Sequence, residues 1–161
     1  MAKKKRKKVA KKAAPKAVAK GGFQINWGKY LLASIVAVVI IFISDFIVHS
    51  KLLMDLYAQN ARLFLPMAIM KERQIYMYAG QILFGLFFVL LYTQGYSGKK
   101  PTIVEGLRYG LYLGLLMAIP FSLMMYGYSK YPVELLKYWG LAEFVRILIM
   151  GGFTGAIYSH K

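Results

Sequence analysis

Four stretches of this chain are apolar almost without interruption. They read "YLLASIVAVVIIFISDFIVH", "IYMYAGQILFGLFFVLLYTQ", "GLRYGLYLGLLMAIPFSLMMY" and "YWGLAEFVRILIMGGFTGAIY". A helix rises about 1.5 Å per residue, so twenty residues cover the roughly 30 Å hydrocarbon core of a bilayer. The pattern predicts membrane-spanning helices over residues 30–49, 75–94, 103–126 and 138–158. Between the first two lies "SKLLMDLYAQNARLFLPMAIMKERQ", where Leu52, Leu53, Leu56, Leu63 and Phe64 suggest a short amphipathic segment at the interface, ended near Pro66. Two readings of it stay open: an outward continuation of the first helix, or a cap that docks a partner. The expected fold class is an all-α integral membrane protein, a bundle of four transmembrane helices.

Composition agrees. Of 161 residues, 58% are hydrophobic and only 17% charged, where a soluble domain usually carries about 25% charged residues. With no cysteine there can be no disulfide, thiolate metal site or iron–sulfur cluster.

The net charge of +16 is unevenly placed: residues 1–30 carry eleven of the 22 Lys and Arg and none of the six acids. Residues 1–26 therefore read as a disordered Lys/Ala-rich tail, and residues 27–161 as the membrane domain. Lys3, Lys4, Lys5, Arg6, Lys7, Lys8, Lys11 and Lys12 are expected to contact anionic headgroups, at about 1 kcal/mol each. Docking on an acidic partner is the weaker alternative, and nucleic acid is not expected. "KKKRKKV" has the look of a nuclear address, but the spans that follow argue against it. No short apolar segment with a cleavage site follows the tail, which disfavours a secretory signal. A tail this basic should stay in the cytoplasm, so an even number of spans returns the C-terminus to the same side, together with Lys99 and Lys100. The expected location is a bacterial inner membrane, crossed several times with both termini cytoplasmic.

Helix packing is written in the glycines. Gly106, Gly110 and Gly114 recur every four residues along one face of the third span, and Gly151 and Gly155 repeat the interval in the fourth. Small residues at this spacing let helix backbones approach closely in lipid. Pro120 is expected to kink the third span.

Polar residues inside the spans are few and fall at one depth. Asp45 lies roughly 6 Å from the outer end of its span, Glu143 about 7–8 Å inside, Gln81 about 9 Å and Arg146 about 12 Å. A charge in hydrocarbon costs about 2.5–3.5 kcal/mol on insertion scales, so such groups turn inward and pair. Arg146 can hold Glu143 one turn away and Asp45 across the bundle, with Gln81 filling a remaining site. Two readings follow: a structural network, or a proton or substrate site in which Asp45 or Glu143 titrates. Arg108, one turn from Glu105 near the cytoplasmic end, is expected to snorkel. His49 falls at the outer boundary and is expected to be hydrated; His160 lies at the opposite face, which excludes a bis-histidine haem within one chain. His49 stays a weak candidate for a ligand shared with a partner. No P-loop, HExxH, GxSxG or dinucleotide fingerprint is present, so neither an enzyme, a metal nor a cofactor is expected.

From Asp45 onward, "DFIVHSKLLMDLY", "EGLRYGLYLGLLMAIP" and "GLAEFVRILIMGGFTGAIY" give the chain a layout that resembles small bacterial four-span membrane proteins of unknown function. The resemblance implies the fold and carries over no functional residue. Two functions compete. The first is a non-catalytic accessory or assembly subunit of a larger membrane complex, contributing helix packing and a basic docking tail. The alternative is a small dimeric proton-coupled transporter using Asp45 or Glu143.

Overall fold

The structure is a computed structural model and describes residues 25–95 and 102–159. The expected disordered tail at 1–26 lies almost wholly outside the described residues, as do Lys99, Lys100 and His160. Among the described residues every regular element is a helix: α1 (Trp27–Ile47), α2 (Met54–Gln59), α3 (Met67–Gly95), α4 (Thr102–Tyr128) and α5 (Val133–Ser159). Four of them are long and apolar enough to cross a membrane. In each, only 17 to 28% of the most apolar window is buried against the rest of the chain. Leu116, Leu123 and Phe153 are among many large side chains left facing outward. Continuous apolar surface of that extent is compatible with lipid and not with water.

Each helix begins where the local chemistry allows. Asn26 caps α1, its side chain accepting from Lys29 N at 3.1 Å. Pro66 precedes α3 and its carbonyl accepts from Met70 N at 3.0 Å; Pro132 does the same for α5 through Leu136 N at 3.2 Å. Proline suits these places because its missing N–H is one the first turn leaves unused. α3 therefore starts eight residues before the predicted span at 75. Its 29 residues reach about 43 Å, longer than the hydrocarbon core, which lets Lys71, Glu72 and Arg73 ride on helix beyond the apolar window. α4 and α5 also run past their predicted ends, and α1 starts three residues early. α4 continues through Pro120 without a break in the helix.

The helices pair unequally. α4 and α5 lie closest, along the glycine seam. A Cβ on Gly106 would stand 2.8 Å from Gly155 Cα, one on Gly110 2.8 Å from the Ile147 carbonyl oxygen, and one on Gly151 2.9 Å from Gly110 Cα. Gly114 meets the Phe144 ring, and the seam extends to Gly140, where a Cβ would stand 2.7 Å from Ser122 Oγ. All five predicted packing glycines thus lie along the α4–α5 contact within a single chain. α1 packs against α3 and α5. At one end the bundle is filled by Phe88, Tyr92, Tyr109 and Tyr158, with Ala33, Ala37, Ile41, Val89, Ile147 and Met150 beneath them. Tyr109 Oη donates to the Phe88 carbonyl at 2.8 Å, tying α4 to α3. Lys29 Nζ donates to the Tyr158 carbonyl at 3.4 Å, so the start of α1 and the close of α5 share that end. The opposite end is not filled this way. It holds the polar residues.

Candidate functional site

α1 does not simply stop. Its last turn widens into a π-turn over Val48–Leu52, closed by Leu53 N donating to the Val48 carbonyl at 2.9 Å. The widened turn buries Leu53 and sends the chain back as α2. Asn60 ends α2, its side-chain amide donating to the Leu56 carbonyl at 2.9 Å. A short 3₁₀ turn over Ala61–Leu63 leads on to Pro66. The segment between the first two spans is thus not a straight extension of α1. It folds over the end of the bundle.

Beneath that fold, the four residues predicted to share a depth are in contact. Arg146 donates through Nη1 to Asp45 Oδ1 and through Nη2 to Glu143 Oε2, while Gln81 Nε2 donates to Asp45 Oδ2. Three helices, α1, α3 and α5, are joined by one carboxylate. The Asp45, Glu143 and Arg146 side chains are 21, 24 and 17% exposed. Two buried atoms in the cluster, Arg146 Nε and Gln81 Oε1, have no hydrogen-bond partner.

Geometry also corrects the expectation for His49. Instead of being merely hydrated, its ring bridges the cluster to the fold above. Nε2 lies 3.8 Å from Asp45 Oδ1, and Nδ1 is hydrogen-bonded to Tyr57 Oη. The His49 and Tyr57 rings are near-parallel, with centroids 5.8 Å apart. Trp139 Nε1 donates to the same Tyr57 oxygen at 2.7 Å. Tyr57, Phe64, Tyr131 and Trp139 then form an aromatic cap: Phe64 stacks on Tyr131 at 5.6 Å, and Tyr131 meets Trp139 edge-on at 5.1 Å. Burial pushes the Tyr57 phenol above its ordinary range; the Trp139 hydrogen bond opposes this, and the charge on Asp45 adds to it.

A cavity of about 300 Å³ adjoins the cluster. Asp45, His49, Glu143, Arg146 and Trp139 form its polar side, and Met117, Ala118 and Phe121 of α4 form an apolar wall. Among the described residues no group of three or more His, Cys, Asp or Glu is placed to hold a metal ion. Arg108 is exposed on α4. The sequence reading missed Tyr57 and the link to Trp139. Both are aromatics of a kind expected at any membrane interface, and only the chain reversal at the π-turn brings them to His49.

No protein family, characterised protein or solved structure matches the chain.

Proposed function

We propose that the protein is a small, dimeric proton-coupled transporter whose working site is the Asp45–Glu143–Arg146 cluster and the cavity beside it. The observation that carries this reading is a charge count. Two carboxylates face one guanidinium, and Gln81, the α3 member, is neutral. A charge-balanced clamp has one carboxylate per guanidinium. The second leaves a negative charge in a largely apolar layer, where an unmatched charge costs about 2.5–3.5 kcal/mol on insertion scales. One exchangeable proton on the cluster removes that cost. The cavity gives a solute a place beside that proton, between α1 with its π-turn, α4 and α5. In this reading the bundle sits in a bacterial inner membrane, with both termini held on the cytoplasmic side by the basic tail.

The experiment is reconstitution into vesicles carrying a pH-sensitive dye, with wild type beside Asp45→Asn and Glu143→Gln. Proton flux that disappears in either variant while the fold is kept supports the reading. Variants that lose only stability end it.

A second reading, the non-catalytic accessory subunit, draws on a different observation: Arg146 engages both carboxylates with no ligand present. In that case the cluster fixes helix order, and the outward apolar faces meet larger subunits. Co-purification with such subunits in mild detergent supports it; migration of the native protein alone at monomer size rules it out.

A further inference from the structure

We propose that His49 carries the proton to and from the cluster, relaying it between Tyr57 and Asp45, and that the Trp139–Tyr57 hydrogen bond holds the imidazole in the tautomer this relay needs. The purpose of the relay rests on the proton-coupled reading above; its geometry does not.

The argument starts from what each group can donate. An indole Nε1–H is a donor only. Trp139 therefore gives its hydrogen to Tyr57 Oη. The Tyr57 oxygen then has its own hydrogen to place, and the group bonded to it is His49 Nδ1. If Tyr57 donates there, Nδ1 is bare and the neutral ring carries its hydrogen on Nε2. That nitrogen lies 3.8 Å from Asp45 Oδ1. The other tautomer would set a bare Nε2 lone pair against a carboxylate oxygen, two acceptors facing each other. The Nε2–H form pairs Trp139, Tyr57 and Nδ1 in sequence and turns a donor, not a lone pair, toward Asp45.

The tautomer gives the ring a direction. On uptake, the Tyr57 O–H bond breaks as Nδ1–H forms, and the Nε2–H bond breaks as Asp45 Oδ1–H forms. Tyr57 regains a proton from hydronium at the interface, which leaves as water. Release runs the same steps backwards and returns the ring to its starting tautomer, with no electron transferred. The gap from Nε2 to Oδ1 exceeds hydrogen-bond length by about 1 Å. The relay requires His49 to swing across that gap; its side chain is 45% exposed and that of Asp45 21%. The titratable and charged groups around it are few. Asp45 shares its helix, Tyr57 comes from α2, and Glu143 and Arg146 come from α5. α3 offers neutral Gln81, and the α4 wall offers Met117, Ala118 and Phe121. His49 stands between the Tyr57 hydroxyl and the Asp45 carboxylate, beside the cavity that both His49 and Asp45 line.

The ring tautomer can be read directly by ¹⁵N NMR of full-length protein in lipid nanodiscs, labelled at histidine, in a His160→Gln background that leaves one imidazole. The expected wild-type signal is a single neutral tautomer protonated at Nε2. Tyr57→Phe, which keeps the ring stack and removes the donor, should give a mixture of tautomers. A wild-type ring protonated at Nδ1, or a wild type identical to Tyr57→Phe, overturns the assignment. The relay is read by infrared spectroscopy after a pH jump, following the band of the protonated carboxyl. His49→Gln should reach the same final protonation about a hundredfold more slowly, at the low end of what a positioned acid–base group contributes. An unchanged rate, or no protonated carboxyl at all on acidification, overturns the relay. The two readings fail separately. Loss of flux in vesicles with the tautomer and the carboxyl kinetics intact ends the transport reading and leaves His49 in its role.

Discussion

Arg146 on α5 donates to Asp45 on α1, across the join between two helices, while its other arm holds Glu143 on its own helix. The two carboxylates are therefore not equivalent. Asp45 also accepts from Gln81, so it ties three helices together, whereas Glu143 neutralises locally.

This inequality predicts an order of stabilities. Asp45→Ala leaves the Gln81 amide and one arm of the guanidinium without an acceptor while Glu143 still balances the charge, a loss of about 1–3 kcal/mol. Glu143→Gln leaves Arg146 with Asp45 and an uncharged neighbour, so a loss of about 1 kcal/mol or less is expected. Unfolding in mixed detergent micelles should rank Asp45→Ala well below Glu143→Gln. The reverse order would mean that Glu143 is the structural partner.

Glycine substitutions should sort by position and not by residue type. Gly106→Ala drives a Cβ against the backbone of Gly155, so α4 and α5 must separate; overpacking of this kind typically costs about 1–3 kcal/mol. Gly80→Ala meets nothing within 4 Å and should be neutral or slightly stabilising, since alanine favours helix by up to about 1 kcal/mol. Thermal stability in detergent, measured on both variants, checks the contrast.

The four spans were legible because lipid imposes a single strong demand, long apolar runs with internally bonded backbone, and the chain meets it four times. The depth of Asp45, Gln81, Glu143 and Arg146 was legible for the same reason: helical rise converts position into height. What depth cannot give is azimuth or chain reversal. The start of α3 at Met67 was hidden because Lys71, Glu72 and Arg73 interrupt hydropathy without interrupting helix. The role of His49 was hidden because the π-turn carries no periodic signature, and the turn is what folds Tyr57 back over the imidazole. Residues eight apart in sequence became partners through one irregular bond.

The aromatic cap makes a prediction in alkali. The folded protein holds the Tyr57 phenol above its ordinary value, chiefly through burial, so folding favours the neutral form. By linkage, the stability this contributes is fully present below the unfolded tyrosine pKa of about 10 and is lost as pH rises through the higher folded value. Ionised Tyr57 can still accept from Trp139 but can no longer donate to His49 Nδ1, and it places a negative charge near Asp45. The cap should loosen above about pH 10 while the seam between α4 and α5, whose glycines meet backbone atoms, Phe144 and Ser122, stays closed. In a Trp27→Phe background, where Trp139 is the sole indole, fluorescence should shift on alkaline titration before the helical circular dichroism changes. Tyr57→Phe should abolish that early transition. If the early shift persists in the phenylalanine variant, another tyrosine opens the cap and Tyr57 is not its latch.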